Sequence, residues 1–299
     1  MESQPHKSQP GESPRESVVV TGAGGGIGAA LARRFAAEGA RVAVNDIDPV
    51  AARAVAEEIG GIAVPGDAAT IVTAAREALG GTVDTFCANA GIGTEGGPET
   101  PDADWGAAWD LNVMAHVRAA RELVPHWLER GRGRFVSTVS AAGLLTMVGS
   151  APYSVTKHAA LAFAEWMSVT YRHRGIDVHA ICPAGVRTDM LAGTGVAGDV
   201  VLKPGAIPPE AVADALFAAF AEGRFLVLPH PDTARHYTAR AGDPDSWLSA
   251  MNHLQQKVER RARAGDGTGA AGETGGARAA GGTGGAGAPS VVGGGEGRA

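Results

Sequence analysis

The sequence predicts an α/β fold: a doubly wound parallel sheet of about seven strands with helices on both faces. Three observations lead there. Short, near-continuous apolar runs recur between residues 17 and 228, and stretches of helical periodicity separate them. The first run passes straight into a glycine-rich turn, Thr21-Gly22-Ala23-Gly24-Gly25-Gly26-Ile27-Gly28, that opens a helix. The runs lack the apolar–polar alternation of a sheet with one wet face, so both faces must be covered.

The first strand is expected at 17–20 and leads through the glycine turn into a helix over 26–38. Residues 41–44 form the second strand. Asp48-Pro49 then opens a helix, with proline in the first turn, where its missing N–H costs nothing. Strands follow at 62–64 and 83–87, with a helix to about Leu79 between them. A long helix covers about 104–130, a fifth strand 134–138, a helix 151–174 and a sixth strand 177–181. From Asp189 to Pro208 no secondary-structure pattern is visible; a helix over 209–222 and a seventh strand over 225–228 come next. A last amphipathic helix spans about 245–263.

The 299 residues fit one large domain, placed at 17–263. Residues 1–16, rich in Pro, Ser and charge, read as a disordered arm. Residues 264–299, mostly Gly and Ala, read as a disordered tail that cannot bury enough apolar surface to offset its ordering entropy. Hydrophobic content of 44% and charged content of 19% describe a soluble globular chain. The net charge of −6 and the absence of a basic stripe argue against nucleic acid as a partner. No apolar run approaches the ~18 residues of a membrane span, and the N-terminus lacks the apolar core of a signal peptide, so a cytoplasmic location is expected. Cys87 and Cys182 each end an apolar run and read as buried small hydrophobes. The His and Cys show no metal-ligand spacing, so no metal is expected.

The glycine turn sits between a strand and a helix, the context a dinucleotide site requires. Gly22 permits the tight turn; Gly26, Ile27 and Gly28 bring the backbone close to a pyrophosphate at the helix N-terminus. This makes the fold Rossmann-type. Asp46 follows the second strand, where a carboxylate can accept from both ribose hydroxyls of NAD and repel the 2′-phosphate of NADP. The competing role, a helix-capping acid, suits Asp48 better. NAD is therefore expected, with NADP disfavoured.

Tyr153 and Lys157 are four residues apart and share a helix face. A cation beside a phenol is expected to lower the phenol's pKa toward neutrality, which suits it to exchange a proton with an alcohol oxygen. Ser140 lies upstream as a donor to that oxygen.

In these motifs the chain resembles the short-chain dehydrogenase/reductase family, in its compact single-domain branch, from about Val18 to Leu228. Asp67-Ala68 is similar to the family pair that reaches the adenine. Cys87-Ala88-Asn89-Ala90-Gly91 is similar to the element after the fourth strand, with Ala88 in place of its first Asn. Asn112, Ser140, Tyr153 and Lys157 are similar to the catalytic tetrad. Pro183-Ala184-Gly185-Val186-Arg187-Thr188 is similar to the element that contacts the nicotinamide, with Ala184 replacing a Gly. The resemblance implies Tyr153 as general acid/base and Lys157 as a donor to the nicotinamide ribose. It implies Asn112 as holder of a water that links Lys157 to solvent. It also implies pairing into homodimers or homotetramers. The helices over 104–130 and 151–174 carry surplus apolar residues for such pairing, for example Leu123, Trp127, Leu161, Phe163 and Trp166.

The leading function is thus NAD-dependent interconversion of a secondary alcohol and its ketone. An epimerase or dehydratase of the family's extended branch is an alternative, but that branch needs a larger C-terminal substrate domain. A non-catalytic NAD-binding scaffold would need no tuned phenol. Residues 189–208 supply Met190, Leu191, Val196, Val200, Val201 and Leu202, with Gly193, Gly195, Gly198 and Gly205 to let the segment move as a lid. Leu144, Leu145 and Met147 are expected to face the same cavity. A largely apolar small-molecule alcohol or ketone is the expected substrate.

Overall fold

The computed structural model describes residues 15–269; residues 1–14 of the expected arm and the tail beyond 269 lie outside the described residues. Glu16, expected in the arm, is ordered, its carbonyl accepting from Arg41 N at 2.8 Å and its carboxylate pairing with Arg134 at 3.1 Å. The first half of the fold runs β1 (Ser17–Val20), α1 (Gly26–Ala37), β2 (Arg41–Val44), α2 (Pro49–Ile59), β3 (Ile62–Ala63), α3 (Val72–Ala78) and β4 (Thr85–Ala88). The second half runs α4 (Asp102–Trp109), α5 (Ala115–Arg130), β5 (Gly133–Thr138), α6 (Ala142–Leu145), α7 (Ala151–Tyr171), β6 (Ile176–Ile181), α8 (Asp189–Ala192), α9 (Val196–Val201), α10 (Pro209–Glu222) and β7 (Leu226–Val227). Two further helices, α11 (Pro231–Gly242) and α12 (Pro244–Gly269), follow the sheet.

The seven strands form one parallel sheet in the order β3-β2-β1-β4-β5-β6-β7. This is the Rossmann-type sheet that the alternation predicts. The order reverses between β1 and β4, so the connections leaving these strands diverge to opposite faces and open a crevice at their C-terminal ends.

Each sheet face buries its own apolar layer. Phe86, Phe135, Leu123, Trp127 and Met167 form one, beneath α3, α5 and α7. Val42, Val136, Leu31, Phe35 and Leu216 form the other, beneath α1 and α10. Phe135 and Val136 are neighbours yet enter opposite layers, because side chains alternate along a strand. Burying side chains of this size stabilises the fold by ~1.5–3 kcal/mol each.

Besides the short helix α6, which was not expected, the structure departs from the expected elements in four places. The helix expected at 104–130 begins at Asp102 and contains a π-helical turn over Asp110–Met114. Residues 189–208 are not irregular: they hold α8, α9 and a 3-10 turn, Lys203–Gly205. The helix α11 was not legible, because its exposed sequence carries little apolar periodicity. Finally, α12 continues past residue 263, since extending an existing helix costs far less than nucleating one.

Candidate active site

The glycine turn joins β1 to α1 at the crevice. Gly22 and Gly26 have positive φ of 61° and 53°, which side chains rarely adopt. A Cβ at Gly28 would stand 2.1 Å from the Gly22 carbonyl oxygen, so only glycine lets the helix start there. The turn is tied to β4 through Thr21, whose hydroxyl donates to the Cys87 carbonyl at 3.2 Å and accepts from Asn89 N and Ala90 N at 2.9 and 3.0 Å. Asn89 Nδ2 donates to the carbonyls of Thr21 and Gly22, at 2.9 and 3.3 Å. Asn89 therefore braces the turn, and Ala90 packs against Gly22.

Asp46 stands just beyond β2. Its Oδ2 accepts from Gly24 N at 2.9 Å and its Oδ1 from Asp48 N at 3.0 Å, so both oxygens are held beside the glycine turn. Asp48 takes the capping role, accepting from Val50 N and Ala51 N at the start of α2. Asp67 accepts from Ala69 N at 2.9 Å, which turns the chain after β3, with Ala68 between them. Asn45 was not singled out by sequence; it is fully buried and its Nδ2 donates to the Val64 and Gly66 carbonyls, at 2.9 Å each.

The four residues expected to act on the substrate come from β5, α7 and the π turn, and the fold brings them together. Ser140, just past β5, lies near enough to the Tyr153 phenol to favour its ionised form. Its hydroxyl also accepts from Ala142 N at 3.0 Å and faces the Pro183 carbonyl at 3.4 Å. Lys157 is buried, and its Nζ donates to the Thr138 carbonyl at 3.0 Å. Asn112 sits in the π turn, a local break that re-aims its side chain. Its Oδ1 accepts from Ile92 N at 2.9 Å; its Nδ2 donates to Ile92 O and Thr156 Oγ1 at 3.0 and 3.1 Å. Gly91 is where Asn112 and Lys157 converge: a Cβ there would lie 2.9 Å from Asn112 Oδ1 and 3.3 Å from Lys157 Nζ.

One electrostatic expectation is corrected. Burial pushes the Tyr153 phenol up, and Ser140 opposes this only in part. Lys157 does not reverse this: its ammonium is turned to Thr138 and stands 5.6 Å from the Tyr153 ring centroid. Burial also takes Lys157 down to about 8. His116, missed from sequence, is buried one turn after Asn112, with Nδ1 3.0 Å from Ser137 Oγ. Burial and the nearby Lys157 charge take it down to about 3. Burial raises both cysteines, Cys182 to about 12, which leaves them as inert thiols.

The rim of the crevice comes from the segments after β5 and β6. Thr188 Cγ2 would lie 2.9 Å from a Cβ at Gly26, so the segment after β6 reaches the glycine turn. Thr188 also caps α8, accepting from Leu191 N at 3.4 Å. Val186 is buried and bridges to Ile207. Gly195 N donates to Glu95 Oε1 at 2.8 Å, which anchors the segment carrying α9. Gly198 is buried against Thr194, so it serves packing rather than motion. Leu144 does not face the cavity: it is 1% exposed and belongs to the core beneath. Leu145 is partly buried and packs on that same core, and Met147 N is held by Ser154 Oγ at 2.9 Å. Leu123, Trp127 and Leu161 are likewise buried within the chain itself and are not free to pair with another copy.

Among the described residues no helix is long and apolar enough to cross a membrane. A family model described as short chain dehydrogenase matches residues 16–196. The chain is 35% identical over 238 residues to the 1-deoxy-11-beta-hydroxypentalenate dehydrogenase of Streptomyces exfoliatus, covering 72% of this chain and 83% of that protein. It superimposes with a TM-score of 0.71 on a short-chain dehydrogenase/reductase from Burkholderia phymatum in complex with NAD, at 27% identity, covering 77% of this chain and 94% of the other. A short-chain dehydrogenase from Sphingobium yanoikuyae in complex with NADPH shares the fold with a TM-score of 0.68, at 24% identity, over 78% and 95% of the two chains. The family match spans the crevice, the glycine turn and the tetrad alike, and this chain belongs to the short-chain dehydrogenase/reductase family.

Proposed function

We propose that the chain is an NAD-dependent oxidoreductase that interconverts a largely apolar secondary alcohol and its ketone. One arrangement carries this reading: Ser140 lies beside the Tyr153 phenol, and Lys157 is buried one turn further along α7. Two convergent hydroxyls can hold a single alcohol oxygen, one as donor and one as proton acceptor.

The residues fit a dinucleotide. The bare glycines 22, 26 and 28 leave a cradle that side chains would fill, and nothing lies within 4 Å of a Cβ at Gly25. The N-terminus of α1 would hold the pyrophosphate, and Asp46 the adenosine ribose. Asp67 and Ala68 would lie toward the adenine. Asn89, Ala90 and Gly91 would flank the ribose nearer the nicotinamide, and Pro183, Val186 and Thr188 the nicotinamide itself. When bound, the nicotinamide supplies the hydride acceptor or donor. In oxidation Tyr153 takes the alcohol proton, and in reduction it returns one to the ketone oxygen. Ser140 donates to that oxygen and orients it. Lys157 supplies positive charge beneath the phenol, and Asn112 holds the backbone of Ile92 beside it.

Met190, Val196, Val200, Val201 and Leu202 lie between Thr188, which reaches the glycine turn, and Ile207, and an apolar segment there would favour an apolar substrate. The test is a panel of cyclic and aryl alcohols, sugars and small hydroxy acids with NAD, followed at the NADH absorbance band. Oxidation of the apolar alcohols is expected; turnover confined to sugars or small hydroxy acids would overturn the substrate class.

A further inference from the structure

His230 follows β7 and meets the Pro183-Ala184-Gly185 turn, whose Pro183 carbonyl Ser140 also touches. Its Nδ1 stands 3.2 Å from Ala184 N, and its Nε2 stands 3.0 Å from the Gly185 carbonyl. One form of the ring satisfies both contacts: the neutral tautomer, with Nδ1 accepting and Nε2–H donating. Pro229 and Pro231 flank His230, and the residue before a proline is confined to extended backbone. His230 has φ −104° and ψ 116°, so its ring is presented from a stiff segment.

The turn it grips has little freedom elsewhere. A Cβ at Gly185 would stand 2.1 Å from the Leu202 carbonyl oxygen, and Ile207 N donates to the Gly185 carbonyl at 3.1 Å. On the other side the Pro183 carbonyl accepts from Ala141 N at 2.8 Å and from Ser140 Oγ at 3.4 Å. A continuous path of bonds therefore runs from His230 through one peptide turn to Ser140. At its far end α11 is tied to the same wall, where Arg240 donates to the Leu144 carbonyl and meets His158 Nε2 at 3.1 Å.

We propose that His230 is a positioning residue for the reaction. It fixes the Ala184–Gly185 peptide and, through the Pro183 carbonyl, the Ser140 hydroxyl that meets the substrate oxygen. The role in turnover rests on the oxidoreductase reading above; the grip on the turn does not.

Three measurements on the full chain test it, using His230→Phe and His230→Asn. Phe keeps a ring but neither polar contact; Asn places an amide acceptor near the position of Nδ1. Amide exchange over residues 183–188, without NAD, should quicken at Ala184 by about tenfold in His230→Phe and return toward wild type in His230→Asn. Turnover of the alcohol found in the panel should fall by about tenfold or more in His230→Phe and recover in large part in His230→Asn, because small misplacements of a reacting group cost rate steeply. Affinity for NAD, by titration, should change far less than turnover. Unchanged exchange at Ala184 in His230→Phe overturns the proposal. So does faster exchange with wild-type turnover, or a turnover loss matched by equal loss of NAD affinity. If the wild-type chain oxidises no alcohol, the oxidoreductase reading fails, and the exchange measurement still decides whether His230 holds the turn.

Discussion

Lys157 and Tyr153 lie one turn apart on α7, yet the Lys157 ammonium donates to the Thr138 carbonyl and stands 5.6 Å from the Tyr153 ring centroid. The lysine is thus anchored by β5 beneath the phenol rather than bonded to its hydroxyl. Charge at that range biases the phenol without forming an ion pair.

Removing the phenolic proton carrier tests the chemistry first. Tyr153→Phe should cut turnover by two or more orders of magnitude, about the share general acid–base catalysis supplies, with little change in melting temperature. Lys157→Ala should lower both turnover and NAD affinity. Because burial raises the Tyr153 phenol, oxidation should quicken as pH rises through the alkaline range. Steady-state rates against pH check this, and near-normal turnover in Tyr153→Phe would refute the mechanism.

Cofactor choice turns on Asp46, whose two oxygens are held by Gly24 N and Asp48 N. A carboxylate fixed there should favour NAD over NADP, and Asp46→Ala should narrow the preference. The ratio of kcat/KM for the two cofactors measures it; a wild-type preference for NADP would count against the assignment.

Acid stability should depend on His116. Its folded pKa of about 3 lies below the ordinary 6.5, so the unfolded chain binds the proton first. The neutral ring's contribution is present above about pH 6.5 and is lost as pH falls toward 3. The loss should be about 3 kcal/mol by about pH 4. Denaturant unfolding of wild type and His116→Phe across that window checks it. The variant should start less stable, since Ser137 loses its partner, but should decline less steeply.

Assembly has its own test. With Leu123, Trp127 and Leu161 buried inside the chain, the apolar surface left on α7 and the end of α4 is Trp166, Val169, Val155 and Trp109, with Trp166 54% and Val169 81% exposed. Trp166 also stacks on Phe163. A homodimer or homotetramer through this surface is expected. Light scattering should show it at micromolar concentration, and Trp166→Glu together with Val169→Glu should shift it toward monomer. A monomeric wild type would contradict it.

The strand and helix order was legible in sequence because it is local: apolar runs, the glycine turn and Asp48-Pro49 each declare themselves within a few residues. The inventory of the site was legible for the same reason, since Gly22 to Gly28 and Tyr153 to Lys157 are short-range spacings. What the tertiary structure alone decided depends on contacts between distant residues and on burial, which no local spacing encodes. The π turn aims Asn112 at Ile92 and Thr156. Packing of α6 draws Leu144 into the core. The assembled layers, not the neighbouring lysine, set the Tyr153 phenol. His230 reaches Ala184 across 46 residues of chain only because β6 and β7 pair in parallel, which brings the segments that leave both strands to the same edge of the sheet.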